Sequence, residues 1–404
     1  MAKLHPQGLD RGSPSKPTEA HQGEAVVVAD SADLKPGAEG AKALKDSDPL
    51  RAEVPQGGME SYASRTTLHP QGVGRGSKDA KASRTTLRAG IVGAGIAGAS
   101  CAGALSAAGW EVDVFDKARG AGGRLSTRRI EQGWATLGTP FVSAKRDPFR
   151  SQLRDWVRQG WITPVRGDIW QGRATVSWAQ AQLQNHYRPI IEPSQLVRHL
   201  LGSATLHTNT PVAALQPRTI ILEDGRKLGD YDCVICSVPT PQALPLLDAL
   251  PLLREHLGDV RYRPIWSFLM RWEGGPAANV IKFDDHLLNL AVRQTSGGAG
   301  LWAVHSSHEF AETYLEASAE EASTRAASAL MGLLGLPWPV EVEASHLWRY
   351  ARPETTAGGF WLSDRESRVA LIGDGIAGVG IERAWESGLR LAQALIQAKA
   401  ELAI

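Results

Sequence analysis

Apolar residues dominate one uninterrupted stretch of the chain, Ala89 to Trp110, which contains no charged side chain. The stretch opens with a short aliphatic run, passes through a glycine-rich turn and continues into an alanine-rich segment, so it predicts a strand, a turn and a helix. A second apolar run ends at Asp116 and predicts another strand. The stretch is about long enough to span a membrane, but its glycines and its lack of long aliphatic runs argue against a span.

From Arg88 onward, apolar runs alternate between the patterns typical of strands and of helices. Three short strands in the middle of the chain suit a small antiparallel sheet followed by a return to the main sheet. The chain closes with a second strand, glycine turn and helix. The predicted strands lie at 209–215, 219–223, 231–238, 266–272, 280–283, 301–305 and 369–374, and the predicted helices lie at 191–201, at 319–334 and after the last turn.

Composition and charge narrow the class of protein. A chain of 404 residues can hold two domains of ordinary size, and 43% hydrophobic residues suffice for a substantial core. The net charge of +1 gives no electrostatic reason to expect a nucleic-acid partner. Three cysteines cannot form a disulfide framework and suit a reducing compartment, so we expect a cytoplasmic protein. Cys233 and Cys236 have redox-motif spacing, but positions three apart in a strand face opposite sides, which favours a buried structural pair.

The first 87 residues differ in kind from the rest of the chain. They hold one aromatic residue, Tyr62, and none of the 13 tryptophans, so they cannot bury enough apolar surface to offset their ordering entropy. Leu4–Gly8 returns as Leu68–Gly72, but the repeats are too irregular for a solenoid. We predict a disordered extension over 1–87. Two interpretations stay open: a tail with a binding role, or spurious upstream translation with the true start near Met59 or later.

The turn Gly93–Gly98 has its glycines at the spacing of a dinucleotide-binding unit. Gly93 permits the tight turn out of the strand, Gly95 lets the backbone approach a pyrophosphate, and Gly98 lets the helix pack closely on the sheet. The pyrophosphate would face free N–H groups at the positive end of the helix dipole. Asp116, at the end of the second strand, is placed to accept hydrogen bonds from a ribose diol. Strand, turn, helix, strand and acid in this order predict a dinucleotide site.

The C-terminal strand, turn and helix offer a second helix N-terminus to the same ligand. The strand ends on Asp374, and a glycine-rich turn through Gly375, Gly378 and Gly380 follows it. We expect this helix to present N–H groups and positive potential to another anionic or polar part of the ligand. One extended ligand would then be held by both ends of the folded chain.

The loop after Asp116 distinguishes FAD from NAD as the expected ligand. In an NAD-binding unit the second strand usually leads directly into another helix, whereas Lys117–Arg124 intervenes here. Its glycines let the backbone lie against phosphate, and Arg124 supplies a planar, permanently charged fork. The run from Arg119 to Arg124 resembles the R-x-x-G-G-R signature of the flavoprotein amine-oxidase superfamily.

Three motifs together resemble the bacterial renalase-like proteins of that superfamily. They are Asp116–Arg129 with its GGRLSTRR ending, His346–Pro353, and Gly373-Asp374 followed by Ala384–Gly388, and they occur in the family's order. The resemblance implies an α/β fold, with noncovalent FAD in a Rossmann-like, p-hydroxybenzoate-hydroxylase-like domain and an inserted α+β substrate domain. It also implies that dihydronicotinamide isomers are oxidised to NAD(P)+ by hydride transfer, with oxygen reduced to hydrogen peroxide. No membrane or nucleic-acid partner is expected.

The resemblance also implies which residues contact the cofactor. The turn Gly93–Gly98 would hold the pyrophosphate, Asp116 a ribose and Arg124 a phosphate. Val212 would meet the adenine region through its main chain, and Asp374 would hold the ribityl chain. The full set of expected cofactor-binding residues is Gly93, Gly95, Ile96, Ala97, Gly98, Asp116, Lys117, Gly123, Arg124, Val212, Gly373, Asp374 and Glu382.

Departures from the family's pattern fall near the substrate side of the expected flavin. Thr139 and Pro140 stand where the family has Ala and Gln. Gly375 stands where it has Trp, and Arg383 where it has Gly. The residues expected on phosphate and ribose remain, so the grip on FAD is expected to persist, and the departures bear on turnover.

The chemistry of the expected reaction asks little of the protein's side chains. A substrate whose cation is aromatic-stabilised loses hydride without a catalytic base, which fits the lack of a Ser/His/Asp or metal-ligand constellation in the sequence. We expect packing or surface roles for His305 and His308 rather than metal binding. Candidates for substrate contact are aromatics that could stack on a planar ring and arginines that could meet a phosphate or carboxylate: Trp302, Tyr350, Arg293, Arg352 and Arg383.

The predicted domain organisation interleaves two domains after the N-terminal extension. The stretch Trp134 to Trp178 has apolar segments too short and too broken for another Rossmann repeat, which favours a separate substrate domain. The FAD-binding domain is predicted from 88–146, 191–250 and 346–404, and the substrate domain from 147–190 and 251–345.

Three functions stay open on the sequence. The first is a renalase-like FAD oxidase of dihydronicotinamide isomers, acting with molecular oxygen. The second is another amine-oxidase-superfamily enzyme, an amine oxidase or a desaturase, which amine-dependent bleaching of the flavin would favour. The third is a flavin-binding protein that has lost turnover, motivated by the departures at Thr139, Pro140, Gly375 and Arg383.

Overall fold

The structure is a computed structural model, and it describes residues 27–28, 86–166, 169–172, 179–181, 185–336 and 339–402. All of these residues belong to one compact unit of the chain. The predicted disordered extension over 1–87 falls almost wholly outside the described residues and stays a prediction.

Strands and helices alternate along the described chain. The strands are β1 (Val27–Val28), β2 (Arg88–Val92), β3 (Glu111–Phe115), β4 (Thr127–Ile130), β5 (Gly133–Thr136), β6 (Val142–Ser143), β7 (Ile162–Pro164), β8 (Ile169–Gly172), β9 (Ala179–Ala181), β10 (His186–Pro189), β11 (Thr205–His207), β12 (Val212–Gln216), β13 (Thr219–Leu222), β14 (Lys227–Leu228), β15 (Cys233–Cys236), β16 (Tyr262–Arg271), β17 (Val280–Phe283), β18 (Leu288–Arg293), β19 (Leu301–Ser306), β20 (Glu341–Pro353), β21 (Leu362–Asp364) and β22 (Val369–Leu371). The helices are α1 (Ile96–Ala107), α2 (Phe149–Arg158), α3 (Pro193–Leu200), α4 (Thr240–Ala243), α5 (Pro251–Leu257), α6 (His308–Thr313), α7 (Ala319–Leu334), α8 (Asp374–Ala377) and α9 (Ile381–Leu402), with short 3-10 helices at Gly123–Leu125 and Leu244–Leu247.

The main sheet has seven strands in the order β1-β21-β22-β15-β2-β3-β11. The strands from β22 to β11 run parallel, so their carboxyl ends meet at one edge of the sheet. Side chains of a buried strand alternate between the two faces: Cys233 packs into the core on one side and Cys236 into the core on the other. Both thiols are buried and free, which confirms that they are structural residues on opposite faces of the sheet.

The stretch from Ala89 to Trp110 forms a strand, a turn and a helix, as its pattern predicts. Among the described residues, no helix is long and apolar enough to cross a membrane. Small residues let α1 and α9 cross with their backbones nearly touching. A Cβ on Gly388 of α9 would overlap the carbonyl oxygen of Ala97 and lie 3.0 Å from the backbone nitrogen of Cys101.

The middle of the chain forms the predicted small antiparallel sheet, β12-β13-β14, and then returns to the main sheet as β15. Buried aliphatic residues of this small sheet, such as Leu215 and Ile220, pack with Leu253 and Leu257 of α5 against the second face of the main sheet. A further three-stranded sheet, β6-β10-β7, and the β4-β5 hairpin come from the tryptophan-rich part of the chain.

The second large sheet also has seven strands, in the order β20-β16-β19-β18-β17-β8-β9. Helix α7 covers one face and packs Ala326 and Leu330 against Phe268 and Trp302. The opposite face packs against β5 through a smaller cluster that includes Leu269, Ala303, Ala135 and Leu137. We refer to this second face as the inner face.

The segment boundaries differ from the predicted ones. Strand β20 continues through the boundary predicted at 345/346, because its pairing with β16 extends as far as Pro353. Helix α2, predicted in a substrate segment, instead packs Phe149 and Trp156 into a core of the main sheet. Helix α5, predicted in the next substrate segment, covers the other face of that sheet. Residues 346–353 therefore belong to the second sheet, and α2 and α5 belong to the main one.

Candidate functional site

The carboxyl edge of the main sheet carries the predicted dinucleotide turn. Gly93 follows β2 with a φ of +103°, a conformation that favours glycine. A Cβ on Gly98 would overlap the carbonyl oxygen of Gly93, whereas a Cβ on Gly95 would meet nothing within 4 Å. Helix α1 begins at Ile96 with no side-chain cap and no acid in its first turn. The backbone at Gly95 is therefore approachable, and uncapped N–H groups can bind an anion there.

Asp116 follows β3 at the same edge and connects the turn to the next loop. Its Oδ2 accepts a hydrogen bond from the backbone N–H of Ala94 at 2.7 Å, and its Oδ1 accepts one from Ala118 at 2.8 Å. A carboxylate has about four acceptor positions, so two stay available to a ribose diol. The backbone N–H of Thr210 donates to the Asp116 carbonyl at 2.9 Å, which brings the segment before Val212 to this point.

Arg124 and Asp374 lie in contact, although the sequence predicts separate roles for them on phosphate and on the ribityl chain. The guanidinium donates from Nη1 to Oδ2 of Asp374 at 2.5 Å and from Nη2 to Oδ1 at 2.8 Å. Nη1 also donates to the carbonyl of Ala351 on β20 at 3.0 Å. Burial alone would lower the pKa of Arg124, but the carboxylate of Asp374 outweighs it and raises that pKa. Both Nη atoms of Arg124 therefore donate hydrogen bonds to acceptors within the protein.

Tyr262, the first residue of β16, is a member of this cluster that sequence reasoning missed. Its hydroxyl donates to Oδ1 of Asp374 at 3.0 Å and lies next to the hydroxyl of Thr240 beside Gly375. Burial and the neighbouring carboxylate raise the pKa of Tyr262, so the phenol remains a donor. Nothing in the local sequence marks Tyr262, because its role depends on the second sheet meeting the main sheet at Asp374.

The other expected cofactor residues occupy different surroundings. Lys117 is exposed, and Gly123 lies beside the glycine turn, since a Cβ on it would lie 3.4 Å from the Cα of Gly95. Gly373 donates its N–H to the hydroxyl of Ser387 at 2.9 Å. The side chain of Glu382 accepts hydrogen bonds from the backbone N–H groups of Lys145 and Arg146, at 3.1 and 2.8 Å.

The positions that depart from the family's pattern have defined partners. The N–H of Thr139 donates to the carbonyl of Arg124 at 2.9 Å, so Gly138 and Thr139 lie against the basic loop. The guanidinium of Arg383 pairs with Glu386 at 3.2 Å and lies over the ring of Phe360 at 5.4 Å. In this structure the partners of Arg383 are protein groups, and its contact with substrate stays a prediction.

The candidates for substrate contact separate into two groups. Trp302 is 2% exposed and lies on the face of the second sheet opposite the inner face. Its ring stacks on that of Trp272 at 4.7 Å, and the guanidinium carbon of Arg293 lies 4.6 Å from the centre of its ring. Trp302 is therefore part of the core under α7, and Arg293 lies against it. Tyr350 does lie at the site, with its ring 6.1 Å from that of Tyr262, and Arg352 is exposed on the same strand.

The inner face carries a polar and aromatic row next to Gly138. Ser267 pairs with His305 on one side and with His346 on the other, so the three side chains share that face. Nε2 of His305 lies 3.0 Å from the carbonyl oxygen of Gly138, and Nε1 of Trp348 donates to that of Leu137 at 3.2 Å. We call these four residues, Ser267, His305, His346 and Trp348, the inner-face row.

Both histidines of the inner-face row favour the neutral imidazole. Burial lowers the pKa of His305 to about 4. Burial, and then the positive charge of Arg128, lowers the pKa of His346. His308 is bound to the carbonyl of Pro264 at 2.8 Å, and among the described residues no group of histidine, cysteine or acidic side chains could hold a metal ion.

Two family models match the chain. Residues 91–154 match the NAD(P)-binding Rossmann-like domain, and residues 177–396, over half of the chain, match the flavin containing amine oxidoreductase. Several solved structures have a similar fold. An oxidoreductase from Methanosarcina mazei is 13% identical over 76% of this chain and 100% of its own, with a TM-score of 0.58.

Two further structures have defined names. Putrescine oxidase bound to putrescine is 14% identical over 77% of this chain and 100% of its own, with a TM-score of 0.57. A CLA-producing fatty acid isomerase from P. acnes is 10% identical over 78% and 99%, with a TM-score of 0.59. At such identities the likeness is one of fold.

Proposed function

The chain belongs to the family of flavin-containing amine oxidoreductases, and we propose that this FAD-dependent oxidoreductase oxidises dihydronicotinamide isomers to NAD(P)+. FAD, when bound, supplies hydride acceptance and passes the electrons to oxygen, which is reduced to hydrogen peroxide. The residues of the carboxyl edge fit this cofactor, because the backbone at Gly95 is open and the N-terminus of α1 is uncapped. Since the family and the site both support FAD, the part that is proposed here is the identity of the substrate.

In the proposed complex the edge of the main sheet holds the cofactor along its length. The turn Gly93–Gly98 would bind the pyrophosphate and Asp116 a ribose, with the main chain at Val212 near the adenine. Asp374 would accept a hydrogen bond from the ribityl chain. Arg124 would act mainly by holding that carboxylate in place, since both its Nη atoms already donate to protein acceptors.

The observation that carries the choice of substrate is that three acidic side chains of the C-terminal segment already have protein partners. Asp374 is paired with Arg124, Glu382 accepts two backbone N–H groups, and Glu386 lies against Arg383. Each of these three carboxylates already accepts hydrogen bonds from the protein, which disfavours it as the partner of a cationic amine. Neutral imidazoles at His305 and His346, the second of them near the positive charge of Arg128, favour a neutral planar ring that carries anionic groups.

The side chains of the row would bind and orient the substrate rather than exchange protons with it. Because Nε2 of His305 faces the Gly138 carbonyl, this nitrogen carries the proton and its Nδ1 is an acceptor. Tyr350 and Trp348 offer ring faces or edges to a planar substrate. No base is required for hydride loss, in keeping with imidazoles that stay neutral.

The alternative within the family is oxidation of an amine. The family's name and the fold shared with putrescine oxidase favour it. A loss of turnover has less support, because Gly375 and Arg383 have specific protein partners that account for their identities without damage to the site.

Oxygen consumption by the purified protein tests the proposal. Addition of 2- or 6-dihydro-NAD(P) should produce hydrogen peroxide and NAD(P)+ in equal amounts, while putrescine and other amines should give no oxygen uptake. Uptake with amines alone would replace the proposal by the amine-oxidase alternative. No uptake with either class would favour the flavin-binding protein without turnover.

A further inference from the structure

The backbone at Gly375 has no room for a side chain. A Cβ there would overlap the hydroxyl of Thr240 and lie 2.6 Å from that of Tyr262. The two hydroxyls thus fill the space beside Asp374 in which a residue other than glycine would place its Cβ. We call these three residues, Gly375, Thr240 and Tyr262, one packing unit. A larger residue at position 375 is compatible with the fold only if one of the two hydroxyls moves or is removed.

The hydroxyls in that space form a chain that ends on the carboxylate. The Thr240 hydroxyl lies next to that of Tyr262, since both are within 2.6 Å of the Cβ position on Gly375, and Tyr262 donates to Oδ1 of Asp374 at 3.0 Å. Thr240 is 3% exposed and Asp374 is 5% exposed, so water competes little for these bonds. Thr240 follows β15 of the main sheet whereas Tyr262 opens β16 of the second one, and the chain of hydroxyls therefore joins the two sheets.

The carboxylate of Asp374 keeps one acceptor position after these contacts. Oδ1 accepts from Nη2 of Arg124 and from Tyr262, and Oδ2 accepts from Nη1 of Arg124. A carboxylate offers about four acceptor positions, so the remaining one lies on Oδ2. Arg124 alone would leave Oδ1 with a free position as well, and a ligand hydroxyl could then bind in either of two orientations.

We propose that Tyr262 is a positioning residue for FAD. Its hydroxyl packs against that of Thr240 in the space that the absence of a side chain at Gly375 leaves open. In this position it fixes the Asp374 carboxylate, so that a single acceptor position stays available to a hydroxyl of the cofactor. The proposal rests on FAD as the cofactor and is independent of which substrate the enzyme oxidises. Its tests therefore measure cofactor binding. Their outcome is independent of whether the enzyme oxidises dihydronicotinamide isomers.

The first test compares FAD affinities of full-length protein freed of its cofactor. Tyr262→Phe removes one hydrogen bond to a charged group and should raise the Kd for FAD about tenfold. Tyr314→Phe removes a phenolic hydroxyl at the residue that follows α6, packed against the core of the second sheet, and should leave the Kd within about twofold. A Tyr262→Phe protein with the affinity of the wild type would overturn the proposal, even if its cofactor-free form melted at a lower temperature.

Variants of Thr240 separate positioning from packing. Thr240→Ser keeps the hydroxyl and should bind FAD as the wild type does, whereas Thr240→Val keeps the volume and should bind several-fold more weakly. Equal Kd values for these two proteins would show that the hydroxyl has no effect and would overturn the proposal. The flavin absorption spectrum of each loaded variant provides a second readout of the carboxylate's position.

A double-mutant cycle tests the packing unit. Gly375→Ala should weaken FAD binding more than Tyr262→Phe does, because its Cβ displaces both hydroxyls. In the Tyr262→Phe background, Gly375→Ala should raise the Kd for FAD by a factor at least about threefold smaller than in the wild type, since one of the two overlaps is gone. Independent, multiplicative effects would contradict the coupling between Gly375 and Tyr262.

Discussion

The carboxylate of Asp374 accepts hydrogen bonds from Arg124 and Tyr262, which lie 250 and 112 residues away along the chain. A bidentate arginine neutralises its charge, and the phenol of Tyr262 satisfies one further acceptor position. The same contacts connect the basic loop, the C-terminal turn and the second sheet at one side chain.

The bidentate geometry at Arg124 gives a direct prediction. Arg124→Lys keeps the charge but cannot donate in two parallel directions, so one carboxylate oxygen loses a partner. The free energy of unfolding should fall by roughly 1–3 kcal/mol, and FAD should bind more weakly. Chemical denaturation and FAD titration measure the two effects.

A surface arginine provides the matched control for that variant. Arg349 makes a similar two-pronged pair with Glu316, at 2.7 and 3.1 Å, but its side chain is 46% exposed. Arg349→Lys should change neither stability nor FAD affinity measurably, because solvent screens an exposed pair. Equal effects of the two substitutions would contradict the role of burial at Asp374.

The neutral state of His305 predicts a pH dependence of stability. Its pKa is about 4 in the folded protein and near the ordinary value of about 6.5 in the unfolded chain. Between these values the unfolded chain binds the extra proton, so stability is fully present above pH about 6.5 and falls as the pH drops towards 4. The fall from this group should be no more than about 3 kcal/mol.

Comparison of pH profiles isolates that contribution. His305→Gln can still donate to Gly138 but cannot be protonated, so its stability should fall less over the same pH range. His286→Gln, at a side chain that is 76% exposed, should follow the wild-type profile. A His305→Gln profile parallel to that of the wild type would contradict a buried neutral imidazole.

Residue types and spacing predict the backbone parts of the site but not its side-chain contacts. The glycine turn, Asp116 and the carboxyl edge follow from local pattern, since each depends on its own strand and helix. The Arg124 pair and Tyr262 depend on how two distant sheets meet, and local sequence has no signal for that. Trp302 is a residue that the sequence suggests for substrate contact but that packs in the core. An aromatic residue in a strand can face either side of the sheet, and its residue type does not tell which.

At the scale of elements, caps account for the boundaries that the pattern predicts best. Helix α7 begins after Ser318, whose hydroxyl accepts the N–H of Glu321 at 3.1 Å, and ends at Gly335 with a φ of +61°. The extent of strand β20, in contrast to that of α7, is not specified by local residues. Its alternating charged and apolar residues give a solvated strand with weak apolar signal, and its length across the predicted boundary follows only from pairing with β16.

The crossing of α1 and α9 carries a prediction at this scale. Gly388→Ala places a Cβ against the carbonyl of Ala97, so the two helices must separate near the glycine turn. Stability should fall by about 1–3 kcal/mol, and FAD should bind more weakly. Gly332→Ala, in a helix position with nothing within 4 Å of the new Cβ, should be neutral or stabilising by up to about 1 kcal/mol. Equal stability of the two variants would refute the close crossing.

At the scale of the whole molecule, the fold places a dinucleotide edge against the inner face of a second sheet. Sequence pattern predicts the first of these from both ends of the chain, and the family match to 177–396 covers most of the second. We propose that the inner-face row helps to select the substrate. In that proposal its neutral imidazoles, together with the paired carboxylates of the C-terminal segment, favour a dihydronicotinamide ring over a cationic amine.

The most direct measurement is the absorbance spectrum of the FAD-loaded protein before and after anaerobic addition of dihydronicotinamide isomers. The flavin absorbance should bleach on addition of 2- or 6-dihydro-NAD(P), stay unchanged with putrescine, and return when oxygen is admitted. A flavin that putrescine or another amine bleaches, and that the dihydronicotinamide isomers leave oxidised, would contradict the proposed reaction.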